Sequence, residues 1–211
     1  MNLGETEKKT LTGSLTDRGG PLVTWSVEYP ALSGPAGQYF ERAARSCGAQ
    51  ARRLLPAARR LRQHTGAPGP FCRLQGTGAL TYDRGGLLSA AGDQLWDAGL
   101  LGRRRSRCSV ILEKSTGRPI PVAALFRGPI PTDRMLAAIL PQAETLAADG
   151  CTLHPGWRQL CRRYFSPERC YLTDDGLALW YPWQVLGPDC AGIPTFLVPY
   201  RALRHRLVRE L

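Results

Sequence analysis

Residues 38 to 64 constrain the fold most, because they read as a helix with one side that cannot stay in water. At 100° per residue, Phe40, Cys47, Ala51, Leu54, Ala58 and Leu61 share one side, and Arg42, Arg45, Arg52, Arg53, Arg59 and Arg60 the other. Such a helix has to lay its apolar side on a second layer, so the rest of the chain must supply one. That side is rich in Ala and poor in Trp and Phe, which suits docking on a sheet better than lying in a lipid interface. Pro56 falls on the polar side, where the spacing predicts a kink that leaves the buried stripe continuous. Gly66-Ala67-Pro68-Gly69-Pro70 stops the segment.

The second layer is written on both sides of it. Residues 7 to 16 and 21 to 29 mix β-branched and aromatic residues around Asp17-Arg18-Gly19-Gly20, which predicts two strands and a turn, with Pro30 ending the second. Phe71 to Asp83 and Leu87 to Ala91 flank Gly85-Gly86 and predict another pair of strands. Within the first of these, Gly76-Thr77-Gly78 lacks the third glycine and the helix of a dinucleotide fingerprint, and reads as a strand irregularity. A loop carrying Arg103-Arg104-Arg105 leads to a strand at Cys108 to Glu113, a turn at Ser115 to Arg118 and an extended stretch from Pro119 to Phe126. Thr132 is the expected N-cap of a second helix with Met135, Leu136, Ile139, Leu140, Ala143 and Leu146 as its buried stripe and Gly150 at its end. Then come a short helix near Trp157 to Tyr164, a hairpin around Asp174-Asp175-Gly176, a strand at Phe196 to Val198 and a last helix opened by Pro199 and anchored by Leu203 and Leu207. Hairpins outnumber βαβ patterns, so the expected fold is α+β, an antiparallel sheet built from hairpins with helices packed on one face. An N-terminal part, residues 1–105, and a C-terminal part, residues 106–211, are expected to form one compact unit.

The charge is concentrated. Lys and Arg number 28 against 17 Asp and Glu, a net of +11, and 25 of the 28 are Arg. Residues 41 to 62 carry +6, residues 103 to 107 carry +4 and residues 201 to 211 carry +3, leaving −2 for everything else. If folding brings these segments together, Arg42, Arg45, Arg52, Arg53, Arg59, Arg60, Arg103, Arg104 and Arg105 make a candidate surface for phosphate or carboxylate ligands, nucleic acid and anionic wall polymer included. The alternative reading is a set of solvated faces in an arginine-rich composition.

Recognisable chemistry is sparse. Asp174 and Asp175 read as turn formers, since aspartate tolerates the left-handed conformation. His64, His154 and His205 lie in unrelated segments without the context of an activated nucleophile. Seven cysteines, at 47, 72, 108, 151, 161, 170 and 190, are odd in number and show no CxxC pair, so they read as mostly reduced and buried. Cys151, His154, Cys161 and Cys170 are a zinc alternative, but only the first two have ligand-pair spacing. No enzyme, metal or cofactor is therefore expected. The opening residues lack a secretory pattern and no apolar run reaches the length of a bilayer span, so a cytoplasmic location is expected.

The segment from Cys170 to Leu207 resembles the closing motif of the RsiV-like family, a bacterial domain of unknown function in the extracytoplasmic part of an anti-sigma factor. The residues that carry the resemblance run in order: Tyr171 to Leu177 with Asp174, Asp175 and Gly176, the pair Trp180-Tyr181, the turn ending at Gly192, and Ile193 through Pro199 and Tyr200. Upstream, Trp25 to Leu32, the Ser89 segment and Thr116-Gly117-Arg118 also fit, and the N-terminal part is similar to the region that accompanies the deacetylase PdaC. The resemblance implies an α+β receptor module that binds a protein or cell-envelope ligand and does no chemistry. It also implies lysozyme as a possible partner, against which the +11 charge weighs, since lysozymes are commonly basic. Two alternatives stay open: a cytosolic polyanion-binding or nucleic-acid-binding protein using its arginine surface, and a wall hydrolase assembled from distant residues.

Overall fold

The structure, a computed structural model, describes residues 6–99, 102–148, 153–203 and 206–208. It has an α+β fold with a five-stranded sheet, a three-stranded sheet and α-helices. The chain divides into two compact units, Met1–Ala79 with Gly92–Ser106, and Leu80–Ala91 with Arg107–Leu211. Three long strands pass through both: β3 (Cys72–Arg84), β4 (Leu87–Asp97) and β5 (Arg103–Glu113).

In the first unit β1 (Lys8–Asp17) and β2 (Gly20–Pro30) form the hairpin expected from their alternation. The sheet runs in the order β1-β2-β3-β4-β5, with β1 antiparallel to β2 and β2 parallel to β3. The sheet is thus mixed, not purely antiparallel, because the chain crosses from β2 to β3 through helices and so completes one βαβ unit. Those helices are α1 (Gly34–Arg52) and α2 (Leu55–Thr65). Where a kinked single helix is expected, the chain makes a break at Arg53 and Leu54, and Pro56 sits in the first turn of α2, where its missing N–H has no intrahelical partner in any case. The stripe survives the break: Phe40, Cys47, Ala51 and Ala58 are buried, with Leu54 and Leu61 half-buried. Cys47, Ala44, Val27 and Leu74 share one cluster with Trp25 and Trp96, and Ala51, Ala58, Leu22, Val23 and Cys72 share another. Gly76 lies in an unbroken parallel register, where its missing side chain leaves room for the methyls of Val27, so the expected irregularity is absent there. The register shift falls instead on β1 and β2, next to Leu15 and Thr16.

The second unit is built around α3 (Thr132–Ala148) and the sheet β6 (Cys170–Leu172), β7 (Gly176–Trp180) and β8 (Thr195–Pro199), in that order and antiparallel. Met135, Ile139 and Ala143 on α3 are fully buried with Leu172, Leu177, Leu179, Tyr181, Phe196 and Val198. The first bond of α3 runs from Met135 N–H to the Pro131 carbonyl, so Thr132 is inside the helix and not its cap. The stretch after β5 is only partly extended, since Val122–Leu125 winds into a short 3-10 turn. α4 (Trp157–Arg163) and α5 (Tyr200–Leu203) complete the unit, and Leu203 and Leu207 are buried as anchors. Gly150, Cys151 and His205 lie outside the described residues.

Candidate ligand-binding surface

Docking the apolar stripe of α1 and α2 on the sheet turns the other side of both helices to solvent. Arg42, Arg45, Arg52, Arg53, Arg59 and Arg60 are all exposed there. Along α1 and its C-cap, Arg42, Arg45, Arg52 and Arg53 fall within an arc of about 100°. Arg45 is neutralised by Glu41 one turn earlier at 2.5 Å. Among the described residues, Arg42, Arg52, Arg53, Arg59 and Arg60 face no carboxylate within ion-pair distance. Five guanidiniums without an acidic partner therefore share one helical surface.

Arg62, on the same stretch of sequence, behaves differently. Its side chain is 16% exposed, pairs with Asp17, donates to the Pro21 carbonyl at 3.1 Å and lies over the Phe71 ring at 5.6 Å. It ties α2 to the β1–β2 hairpin. Residue type alone did not separate it from its neighbours; the signal was its position on the flank of the apolar stripe, next to Leu61.

Arg103, Arg104 and Arg105 are not in a loop. They open β5, and because side chains alternate along a strand, Arg104 points to the opposite face from Arg103 and Arg105. Arg103 is bound to Asp97 at 3.0 Å. The Asp97 carboxyl is held below the usual carboxylate range, first by the Gly99 N–H it accepts and then by Arg103 and Arg73. β5 is the sheet edge opposite β1, with β3 and β4 between it and β2, a separation of about 14 Å at sheet spacing. The helix arginines form one group, and the β5 arginines do not join it as a cluster.

The motif residues of the C-terminal segment form a scaffold within the second unit. Thr173 Oγ donates to the Gly176 carbonyl at 2.9 Å and accepts the Gly176 N–H at 3.2 Å, closing the hairpin. A Cβ on Gly176 would collide with the Val198 carbonyl, which is why this position needs glycine. Neither Asp174 nor Asp175 is left-handed, contrary to the turn chemistry expected of them. Asp174 pairs with Arg84 at 3.2 Å, and the Asp175 carbonyl accepts the Tyr200 N–H at 3.2 Å. Tyr200 Oη, just past Pro199, returns to the Thr173 carbonyl at 2.8 Å. Tyr171 pairs across with Ala178, Trp180 donates its indole N–H to Ser109 Oγ at 3.2 Å, and Tyr181 donates to the Cys161 carbonyl at 2.9 Å. Gly192 has a φ of 64° after a short 3-10 turn. Burial raises the phenol pKa of Tyr181 and of Tyr200 above the ordinary value.

Sequence reasoning placed Ser89 in a motif segment without a role and missed Gln142 and Gln184. Ser89, fully buried, donates to the Val110 carbonyl at 3.2 Å and accepts the Leu172 N–H at 3.0 Å, joining β4 and β5 to β6. Gln142 on α3 pairs with Leu197 of β8 in both directions, at 2.6 Å to its carbonyl and 3.0 Å from its N–H. Gln184 is the non-glycine residue with positive φ among the described residues, 64°. Of the zinc alternative, His154 Nε2 lies 3.2 Å from the Gln184 carbonyl, while Cys161 and Cys170 are buried and burial pushes their thiols up to about 11 and about 12.

No family profile matches the chain and no curated protein matches it. Solved structures do, among them two DUF3298 family proteins. A DUF3298 family protein from Pseudomonas aeruginosa matches with a TM-score of 0.62 at 13% identity, covering 96% of this chain and 94% of that one. One from Bacteroides fragilis matches with a TM-score of 0.59 at 15% identity, covering 99% and 96%. The fold is that of these DUF3298 proteins. At such identities the likeness is one of fold, and it runs the length of both chains.

Proposed function

We propose that the chain is a non-enzymatic binding module and that the arginine face of α1 and α2 takes a polyanionic ligand with repeated phosphate or carboxylate groups. The observation that carries this reading is the five exposed guanidiniums without an acidic partner on one helical surface, since unneutralised arginines in a row suit multidentate anions. The non-enzymatic reading draws support from four side chains: the Cys161 and Cys170 thiols are buried and hard to ionise, and Asp174 and Asp175 close a hairpin. Titration with heparin and with inorganic polyphosphate tests the reading. Affinity should fall steeply between about 50 and 200 mM salt, as expected where several charges are released together. Replacing Arg52, Arg53, Arg59 and Arg60 by Gln should remove most of it. No retention of the native chain by either polymer at physiological salt overturns the proposal.

The resemblance to the RsiV-like family, together with the DUF3298 fold, favours a second reading, a receptor for a protein ligand. Basic lysozymes would meet the same arginine face with like charge. Lysozyme binding that survives the four Arg→Gln replacements would place a protein-binding surface elsewhere and favour this second reading.

A further inference from the structure

β1 is an edge strand, and its free edge is complementary to itself. The Glu7 carbonyl accepts the Ala31 N–H at 2.7 Å, so the backbone groups of Glu7 face β2. In an antiparallel pair alternate residues face the same neighbour. Lys9, Leu11 and Gly13 therefore bond inward, and Lys8, Thr10, Thr12 and Ser14 turn their N–H and C=O groups outward. Among the described residues none caps those outward groups. Ten residues are long for a strand whose outer edge pairs with nothing among the described residues.

We infer that two copies of this chain pair β1 to β1 in antiparallel fashion about a two-fold axis through Gly13. Direct partners in such a pair must lie on the same face of the sheet, which allows only registers in which the two residue numbers share parity. With Gly13 on the axis, Lys9 stands opposite Asp17, Thr10 opposite Thr16, Leu11 opposite Leu15 and Thr12 opposite Ser14. Each pairing is favourable: opposite charge, hydroxyl with hydroxyl, apolar with apolar. Centring on Thr12 instead sets Lys9 against Leu15 and Leu11 against Gly13, which forfeits the charge pair and the leucine pair. Asp17 Oδ1 is engaged by Arg62 and by the Gly19 N–H, which leaves Oδ2 for the Lys9 of the other copy. Arg18 lies in the turn beyond the paired residues.

Gly13 itself carries a second, independent observation. The indole of Trp25 lies over it, so that a Cβ there would collide with the six-membered ring. Trp25, Leu11 and Leu15 are only half-buried, on the face that α1 and α2 cover. In a non-hydrogen-bonded antiparallel pair the two Gly13 Cα atoms come within about 4.5 Å, which brings the two indoles together over the axis and takes this apolar rim out of water. The axis is perpendicular to the sheet, so both copies turn their helices to the same side.

Sedimentation equilibrium of the full chain over a wide concentration range, at physiological salt, tests the pairing. A monomer–dimer equilibrium is expected. Thr12→Pro removes an outward N–H without touching the ladder to β2, and should leave a monomer whose melting temperature is little changed. Lys9→Glu, fully on the surface, puts two acidic pairs across the axis and should weaken the dimer about tenfold. It serves where the proline variant does not fold. A native chain that stays monomeric throughout the range overturns the inference. So does a dimer indifferent to both substitutions. Neither result bears on anion binding, which a monomer can also carry out.

Discussion

In the first unit the helices bury Phe40 but otherwise small side chains, Ala36, Ala44, Cys47, Ala51 and Ala58, whereas in the second Met135 and Ile139 of α3 reach into Leu172, Leu177, Tyr181 and Phe196. Small side chains bring a helix close but bury little apolar area each, at about 25 cal/mol per Å². The first unit therefore leans on a charged tie, Arg62, and keeps its outer face for solvated arginines. The second holds itself with large side chains, with buried hydrogen bonds at Ser89 and Tyr181 and with half-buried ones at Gln142 and Thr173. Stability and the candidate ligand surface are thus drawn from different parts of the chain.

The sharpest way to break this contrast is Ile139→Ala, expected to cost about 2–5 kcal/mol in chemical denaturation because it empties a fully enclosed site. If the loss were as small as that of a surface substitution, the second unit would not be the principal source of stability. Ser89→Ala comes next. It strands the Leu172 N–H in the interior, at about 1–3 kcal/mol, while anion binding stays as in the native chain. Arg62→Ala should cost about 1.5 kcal/mol through its lost bonds to Asp17 and Pro21. Arg59→Ala and Arg60→Ala, a turn or less away, should move stability by no more than about 0.5 kcal/mol and yet weaken heparin binding. Equal stability losses for all three would erase the distinction between tie and surface.

The smallest effect is on pH dependence. Because the folded pKa of Asp97 lies below its ordinary value, its contribution is complete above the unfolded carboxyl pKa of about 4 and disappears as pH falls through the lower folded value. Unfolding midpoints measured across that acid range should fall less steeply in Asp97→Asn than in the native chain.

What could be read from the sequence follows from which signals are local. The β1–β2 hairpin and the hairpin at Thr173 to Gly176 announce themselves by alternation around turn residues, and the stripe of α1 and α2 by its period. The break at Arg53 and Leu54 was hidden because the stripe keeps its phase across it. β5 was expected to begin at Cys108, since Arg103 to Arg105 at an exposed edge show no apolar alternation. The parallel pairing of β2 with β3 is a property of the crossover and leaves no mark on either strand. Of the candidate site, the face bearing Arg42 to Arg60 was legible from periodicity. The separation of Arg103 to Arg105 from it was not, because it depends on strand order.

Gln142 gives β8 what a neighbouring strand would give, a donor for the Leu197 carbonyl and an acceptor for its N–H, from a single amide group. That economy makes the site chemically fragile. Hydrolysis of the amide to a carboxylate would leave the acceptor in place and turn the donor into a second oxygen against the Leu197 carbonyl. One slow deamidation, without any change in the gene, would then uncover the outer edge of β8 at Leu197, while Met135 and Ile139 keep α3 on the sheet.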